Sequence, residues 1–300
     1  PNSHPYDSGL IVADDNGKVE KWLAKEDERP KYYNNRVNAG LHVISPKVLE
    51  MSGINKEDIG KEINGKIVKV DLDRQILKPL CSSGNMYCYD SPEYVKDMGT
   101  PERFYSVKID FVNGTVQSKN LKNKQKAIFL DRDGTINKYV GFLRNIDEFE
   151  LIPGVEEAIK KINESGYLAI VVTNQPVIAR GEVTVEELNE IHKKLETELG
   201  YKGAYIDGLY YCPHHPHKGY EGEIPELKID CECRKPKPGL LLKAAEDFNI
   251  DLSQSWMIGD GENDIKAGKA AGCKTALIGE NDFGQDITVD NVKEFVQLIF

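Results

Sequence analysis

From residue 127 onward the chain alternates short apolar runs with amphipathic stretches, and this alternation restricts the available folds more than any other feature. "AIFL" (127–130), "YLAIVV" (167–172), "IDGLYYCP" (206–213) and "WMIG" (256–259) read as strands. Between them, residues 154–166, 184–200 and 237–250 carry helical periodicity, and another helix follows Asp260. Thr184 is placed to cap the second of these helices, with Glu187 completing a capping box. Strands separated by helices predict right-handed crossovers and a parallel sheet covered on both faces, that is, an α/β Rossmann-like domain. Ligands of such sheets bind outside the carboxyl ends of the strands, near the point where strand order reverses. Asp131, Asp133, Thr173 and Asp260 all fall at such ends.

A polar, basic stretch, "TVQSKNLKNKQK" (115–126), precedes the first of these strands and reads as a linker. It divides the chain into residues 1–120 and 124–300. At 40% hydrophobic and 29% charged residues, the 300-residue chain has the composition of a globular protein able to bury a sizeable core. Its apolar runs fall short of the roughly 20 residues that span a bilayer, and no secretory signal is visible. The expectation is a cytoplasmic protein without membrane or nucleic-acid partners, since a net charge of −10 disfavours phosphate-backbone contacts. Small anionic substrates remain open to it where a basic group meets a metal.

Phosphoryl transfer is the chemistry that the strand-end residues share. A carboxylate such as Asp131 is ionised at neutral pH and attacks phosphorus without an activating base. Asp133, two residues on, is placed to protonate the leaving oxygen and then deprotonate water. Two anions facing an anionic substrate need a cation, and oxygen ligands suit magnesium. Asp131, Asp133 and Asp260 are the expected ligands, with Asp264 in support. Thr173 offers a hydroxyl to the phosphoryl group, with Asn174 next to it as a substrate contact, and Lys235 offers fixed positive charge.

Three of the six cysteines lie in "YYCPHHPHKGYEGEIPELKIDCECRKPKPG" (210–239). A disulfide loop, a metal site and chance compete here; a cytosol-like composition disfavours the first. Cys212, Cys231 and Cys233 with one histidine make the Cys3His set of structural zinc. His214, His215 and His217 are all within reach, and the i, i+2 step from Cys212 favours His214. Cys81, Cys88 and Cys273 stand alone and read as small hydrophobes.

Together "DRDGT", "VTN", "RKP" and "GDGEND" closely resemble the four motifs of the haloacid dehalogenase (HAD) superfamily, over residues 125–300. Within it the sequence resembles the small, nearly capless branch that holds heptose bisphosphate and histidinol-phosphate phosphatases. The resemblance implies Asp131 as nucleophile, Asp133 as general acid/base, Lys235 as the third-motif lysine and Asp260 as a magnesium ligand. It also implies a zinc loop over 212–233 held by Cys212, His214, Cys231 and Cys233, with Arg234 contacting the substrate. Branch members acting on histidinol phosphate tend to a shorter loop, which favours a heptose bisphosphate here and leaves histidinol phosphate as the alternative.

Residues 1–120 resemble the C-terminal half of sugar-1-phosphate nucleotidyltransferases, through "NAG" (38–40) and "DMGTP" (97–101). That resemblance implies a partial α/β domain in which Asp97 binds metal, Asn38 contacts sugar and Lys25 stands near a family lysine. The family's Gly-rich nucleotide loop does not occur in this sequence. Nucleotide-sugar transfer or binding is the second functional reading.

Overall fold

The computed structural model of the chain describes residues 1–14, 16–63 and 65–300. In the N-terminal part, β1 (Leu10–Ala13) and β2 (Val19–Leu23) form an antiparallel pair, as do β3 (Glu62–Ile63) and β4 (Lys66–Ile67). Short helix α1 (Val48–Met51) lies between the two pairs, and α2 (Lys78–Leu80), α3 (Pro101–Val112) and α4 (Thr115–Ser118) follow them. Ile11, Val19, Trp22, Ile76, Leu77 and Cys81 make a small core. All of α3 stands half-buried or exposed.

The remainder is a single parallel sheet. Its strands are β5 (Lys126–Leu130), β6 (Tyr167–Asn174), β7 (Gly208–Cys212), β8 (Trp256–Gly259), β9 (Lys274–Ile278) and β10 (Ile287–Val289), in the order β10-β9-β8-β5-β6-β7. Strand order therefore reverses around β5. Helices α5 (Val155–Glu164), α6 (Pro176–Ala179), α7 (Val185–Tyr201), α8 (Gly239–Asp247), α9 (Glu262–Ala271) and α10 (Val292–Ile299) complete the domain. The period of two along each strand sorts the side chains between its faces. Ile128, Leu130, Ala169, Val171 and Ile258 join one core with residues of α5, α7 and α10. Ala127, Phe129, Ile170, Val172 and Met257 join the other with residues of α8 and α9. Burial on both faces explains why these strands read as continuous apolar runs. The Thr184–Glu187 capping box forms as expected.

The stretch 115–126 differs from a free linker. Its first four residues are helical, and Lys126 already belongs to β5. Gln125 is 2% exposed, donates from Nε2 to the carbonyls of Asn120 and Asn123, and exchanges backbone hydrogen bonds with Asn249 and Asp251. Polar composition here reflects turn groups that satisfy each other, a role indistinguishable in sequence from solvation.

The N-terminal part also docks on α7. Thr197 Oγ accepts from the Tyr33 amide at 2.8 Å and donates to its carbonyl at 3.0 Å. Glu196 accepts from the Asn35 amide and the Asn34 side chain. Tyr6 stacks on Tyr201, ring centroids 5.9 Å apart.

Candidate active site

At the reversal point the carboxyl ends of β5, β6 and β8 open into a cavity of about 240 Å3 lined by Asp131, Asp133, Thr173, Asn174, Arg234, Lys235, Asp260 and Asp264, among others. The strand-end residues read from sequence thus share one site. Lys235 is 2% exposed, and its Nζ lies 2.7 Å from Asp131 Oδ1 and 2.6 Å from Asp264 Oδ1. It also donates to the Val172 carbonyl at 2.8 Å. Burial opposes charge on this ammonium, but Asp131 and Asp264 outweigh it and raise its pKa above the ordinary lysine value. Asp131 moves upward to about 6, because burial outweighs the pull of Lys235 and because Asp264 and Asp133 are close. Asp260 is likewise pushed up to about 6 by burial and by Asp131.

Oxygens of Asp131, Asp260 and Asp264 all lie within 4.8 Å of one another. Three hard oxygen donors converging with one lysine among them fit a small divalent cation. Glycine makes the approach of two of them feasible. A Cβ on Gly134, which has φ +81°, would sit 2.0 Å from Asp260 Oδ2, and one on Gly259 would sit 2.3 Å from Asp264 Oδ2.

Asp133, expected as a third magnesium ligand, lies outside that carboxylate trio, and its side chain is committed elsewhere. It accepts from Arg132, from Asn137 Nδ2 at 3.0 Å and from Gln175 Nε2 at 2.9 Å. Arg132 is fully buried between Asp133 and His192, whose Nε2 lies 3.2 Å from the guanidinium. Burial, with Arg132 alongside, holds His192 well below the ordinary histidine range, so its ring accepts as a neutral imidazole. Thr173 is 1% exposed, and its Oγ accepts from the same Gln175 amide at 2.9 Å. Asn174 lines the cavity but spends its side chain on the backbone of Lys235, accepting from its N–H and donating to its carbonyl, each at 3.0 Å. It therefore positions the lysine.

Arg132, Asn137, Gln175 and His192 were not singled out by sequence reasoning. Arg132 and Gln175 sit inside "DRDGT" and "TNQ", so their adjacency to the acid and the threonine was a usable signal. His192, on α7, gave none.

Beyond the cavity, Cys212, His214, Cys231 and Cys233 come together with their ligand atoms within 4.8 Å. The sulfurs lie 3.2–3.5 Å apart with no disulfide between them. His214 Nδ1 lies 3.3 Å from Cys233 Sγ and 3.6 Å from Cys212 Sγ. A tetrahedron with metal–sulfur bonds of about 2.3 Å has edges of about 3.8 Å, a little wider than these separations, and three thiolates with one imidazole are the donor set that suits zinc. Its hydrogen-bonded contacts with Cys212, then with Cys231 and His214, hold the Cys233 thiol down at about 5 against the opposing effect of burial. His215 faces Arg180 and Lys228, away from this quartet. Arg234 donates to the His214 carbonyl at 3.1 Å, linking the loop to the cavity.

In the N-terminal part, Asp97 accepts from Arg103 and from the Gly99 amide, Asn38 donates to Asp73, and Lys25 pairs with Asp7. Among the described residues, Asp97 belongs to no group of three or more metal-ligating side chains.

A haloacid dehalogenase-like hydrolase family model matches residues 84–272. A D-glycero-beta-D-manno-heptose-1,7-bisphosphate 7-phosphatase of Pasteurella multocida is 43% identical over 170 residues, covering 57% of this chain and 89% of that protein. The enzyme of the same description from Escherichia coli K12 is 42% identical over 152 residues, 51% of this chain and 78% of that one. The crystal structure of a D,D-heptose 1,7-bisphosphate phosphatase from B. bronchiseptica, complexed with magnesium and phosphate, superposes with a TM-score of 0.52 at 28% identity, over 58% of this chain and 98% of that one. Among the described residues, no helix is long and apolar enough to cross a membrane.

Proposed function

We propose, for a chain that belongs to the haloacid dehalogenase-like hydrolases and is a phosphoric monoester hydrolase, that its substrate is a sugar bisphosphate, D-glycero-D-manno-heptose 1,7-bisphosphate, from which it removes the 7-phosphate. The observation that carries this reading is the pairing of Asp131 with buried Lys235 in a cavity that also holds Asp133, in a chain 43% identical over 170 residues to a protein of that activity. Phosphatase action on a sugar 1,7-bisphosphate leaves a sugar 1-phosphate, the substrate class of the nucleotidyltransferases that residues 1–120 resemble. The N-terminal similarity and the phosphatase site thus fit consecutive reactions.

In the mechanism, an Asp131 oxygen forms a bond to phosphorus as the bond to the leaving sugar oxygen breaks. Asp133, aimed by Arg132, Asn137 and Gln175, gives that oxygen its proton. Asp133 then takes a proton from water, whose oxygen displaces Asp131 from phosphorus and releases inorganic phosphate. Thr173 and Lys235 meet the phosphoryl oxygens, and Asn174 holds the lysine's backbone in place. Arg234 faces the rest of the substrate. Asp131 and Asp260, with Asp264 beside them, would hold magnesium, which supplies positive charge to the crowded anions when bound. Cys212, His214, Cys231 and Cys233 would hold zinc in a closed site that fixes the loop carrying Arg234 and Lys235.

Assaying the purified chain side by side on the heptose bisphosphate and on histidinol phosphate tests the reading. Preferred release of phosphate from C7 of the heptose, leaving the 1-phosphate in the product's phosphorus spectrum, is expected. Preference for histidinol phosphate, or loss of the 1-phosphate first, would refute it.

A further inference from the structure

Arg180 follows α6 outside the set of reacting residues, yet it is 8% exposed and packed between two aromatic rings. Its guanidinium carbon lies 4.1 Å from the centroid of Phe142 and 4.5 Å from that of Tyr220. Phe142 lines the mouth of the active-site cavity, whereas Tyr220 belongs to the cysteine–histidine loop. Arg180 Nη2 lies 3.2 Å from His215 Nε2, and its Nε has no hydrogen-bond partner. Buried Lys228 approaches the Tyr220 ring at 4.5 Å and Glu223 at 3.4 Å. The backbone under this stack is tightly seated. Ile224 donates to the Ala179 carbonyl at 3.0 Å, and a Cβ on Gly181 would meet the Gly222 carbonyl oxygen at 1.9 Å. A buried cation with an unsatisfied donor is costly unless its rings compensate, so the stack must be held as a unit.

We propose that Arg180 is a positioning residue: by stacking between Phe142 and Tyr220 it ties the mouth segment 139–143 to the metal loop and so sets the part of the cavity that grips the sugar. The proposal rests on the sugar phosphate reading above. A phosphate ester small enough to occupy only the end near Asp131 and Lys235 does not need Phe142 in place; a bulkier sugar phosphate does. Lysine cannot replace the arginine, because only a planar guanidinium presents two faces to two rings.

Two measurements on the full chain test it. Hydrogen exchange is expected to rise at least fivefold in both 139–143 and 219–224 in Arg180→Gln, with β5 and β6 unchanged, a readout that needs no substrate. Kinetically, KM for the best sugar phosphate should rise about tenfold, the scale of a lost pocket contact, while kcat and KM for p-nitrophenyl phosphate and the zinc content stay at parent values. Arg180→Lys should behave like Arg180→Gln, and Arg180→Gln combined with Phe142→Ala should cost no more than either change alone. Unchanged exchange in 139–143, equal losses on both substrates, full rescue by lysine or additive losses would each overturn the proposal. Should Arg180→Gln fail to fold, Tyr220→Leu carries the same exchange and KM expectations. Failure of the heptose assay on the parent chain would remove the substrate reading and leave the exchange result standing.

Discussion

At the residue scale, Asp131 and Asp133 differ by what surrounds them. Asp131 faces Lys235 and the carboxylates of Asp260 and Asp264, a setting for attack on phosphorus; Asp133 is held by three donors that aim its oxygens. Asp131→Asn is expected to abolish turnover with the fold and zinc content retained, and substantial residual phosphate release would contradict covalent attack. Asp133→Asn should lose roughly 100- to 10,000-fold in kcat by losing proton transfer. A different carboxylate governs acid stability. Asp207 accepts from the Ala169 amide at 2.9 Å, and burial, opposed by Lys119, pushes its pKa up to about 6. Because the folded value exceeds the unfolded one of about 3.9, its favourable contribution is complete below pH 4 and lost as pH rises through 6. The melting temperature of Asp207→Asn relative to the parent should therefore climb between pH 4 and 6.5; a constant difference would show that the group does not titrate there. Asp131 and Asp133 were legible because they end an apolar run, whereas the roles of Arg132 and Asn174 were not. Both depend on partners, His192 and Lys235, about 60 residues away in sequence.

At the element scale, the loop over 212–233 holds its four soft ligands in one group and ends one residue before Arg234 and two before Lys235. A closed site keeps its metal through chelation that strips a water-rich magnesium site. After EDTA, magnesium alone should restore activity, and elemental analysis should still find one zinc per chain. Zinc should survive His217→Ala and be lost in His214→Ala. Cys231→Ser should raise KM and lower the melting temperature without touching a reacting group; zinc absent from the parent chain would refute the assignment. The spacing of Cys and His made this loop visible in sequence, since each i, i+2 pair can converge by local geometry, whereas the meeting of the two pairs is decided by the fold.

At the scale of the whole molecule, residues 1–36 are joined to the phosphatase domain through α7. Thr197→Val keeps the shape but leaves the Tyr33 amide and carbonyl unpaired, at a cost of about 1–3 kcal/mol per buried group. Limited proteolysis should then cut faster within residues 25–36, with kcat for phosphate release unchanged; parent-like cleavage would show that this hydrogen-bonded seat does not hold the segment.

The sequence by itself determined the parallel α/β sheet and the carboxylates at its strand ends, which follow from periodicity that backbone geometry converts directly into shared faces and shared ends. It also displayed the cysteines and histidines of the loop, among which the family resemblance, and not spacing alone, pointed to His214. Tertiary structure alone decided the commitment of Asp133 to buried Arg132, the clamp of Asn174 on Lys235, the stack of Phe142, Arg180 and Tyr220, and the seat of Tyr33 on Thr197. Most of these join residues tens of positions apart, and even Asp133's bond to its neighbour is aimed by His192 from α7. No local pattern encodes such pairings, because they arise only once the crossovers have brought distant strand ends and helix faces into one place.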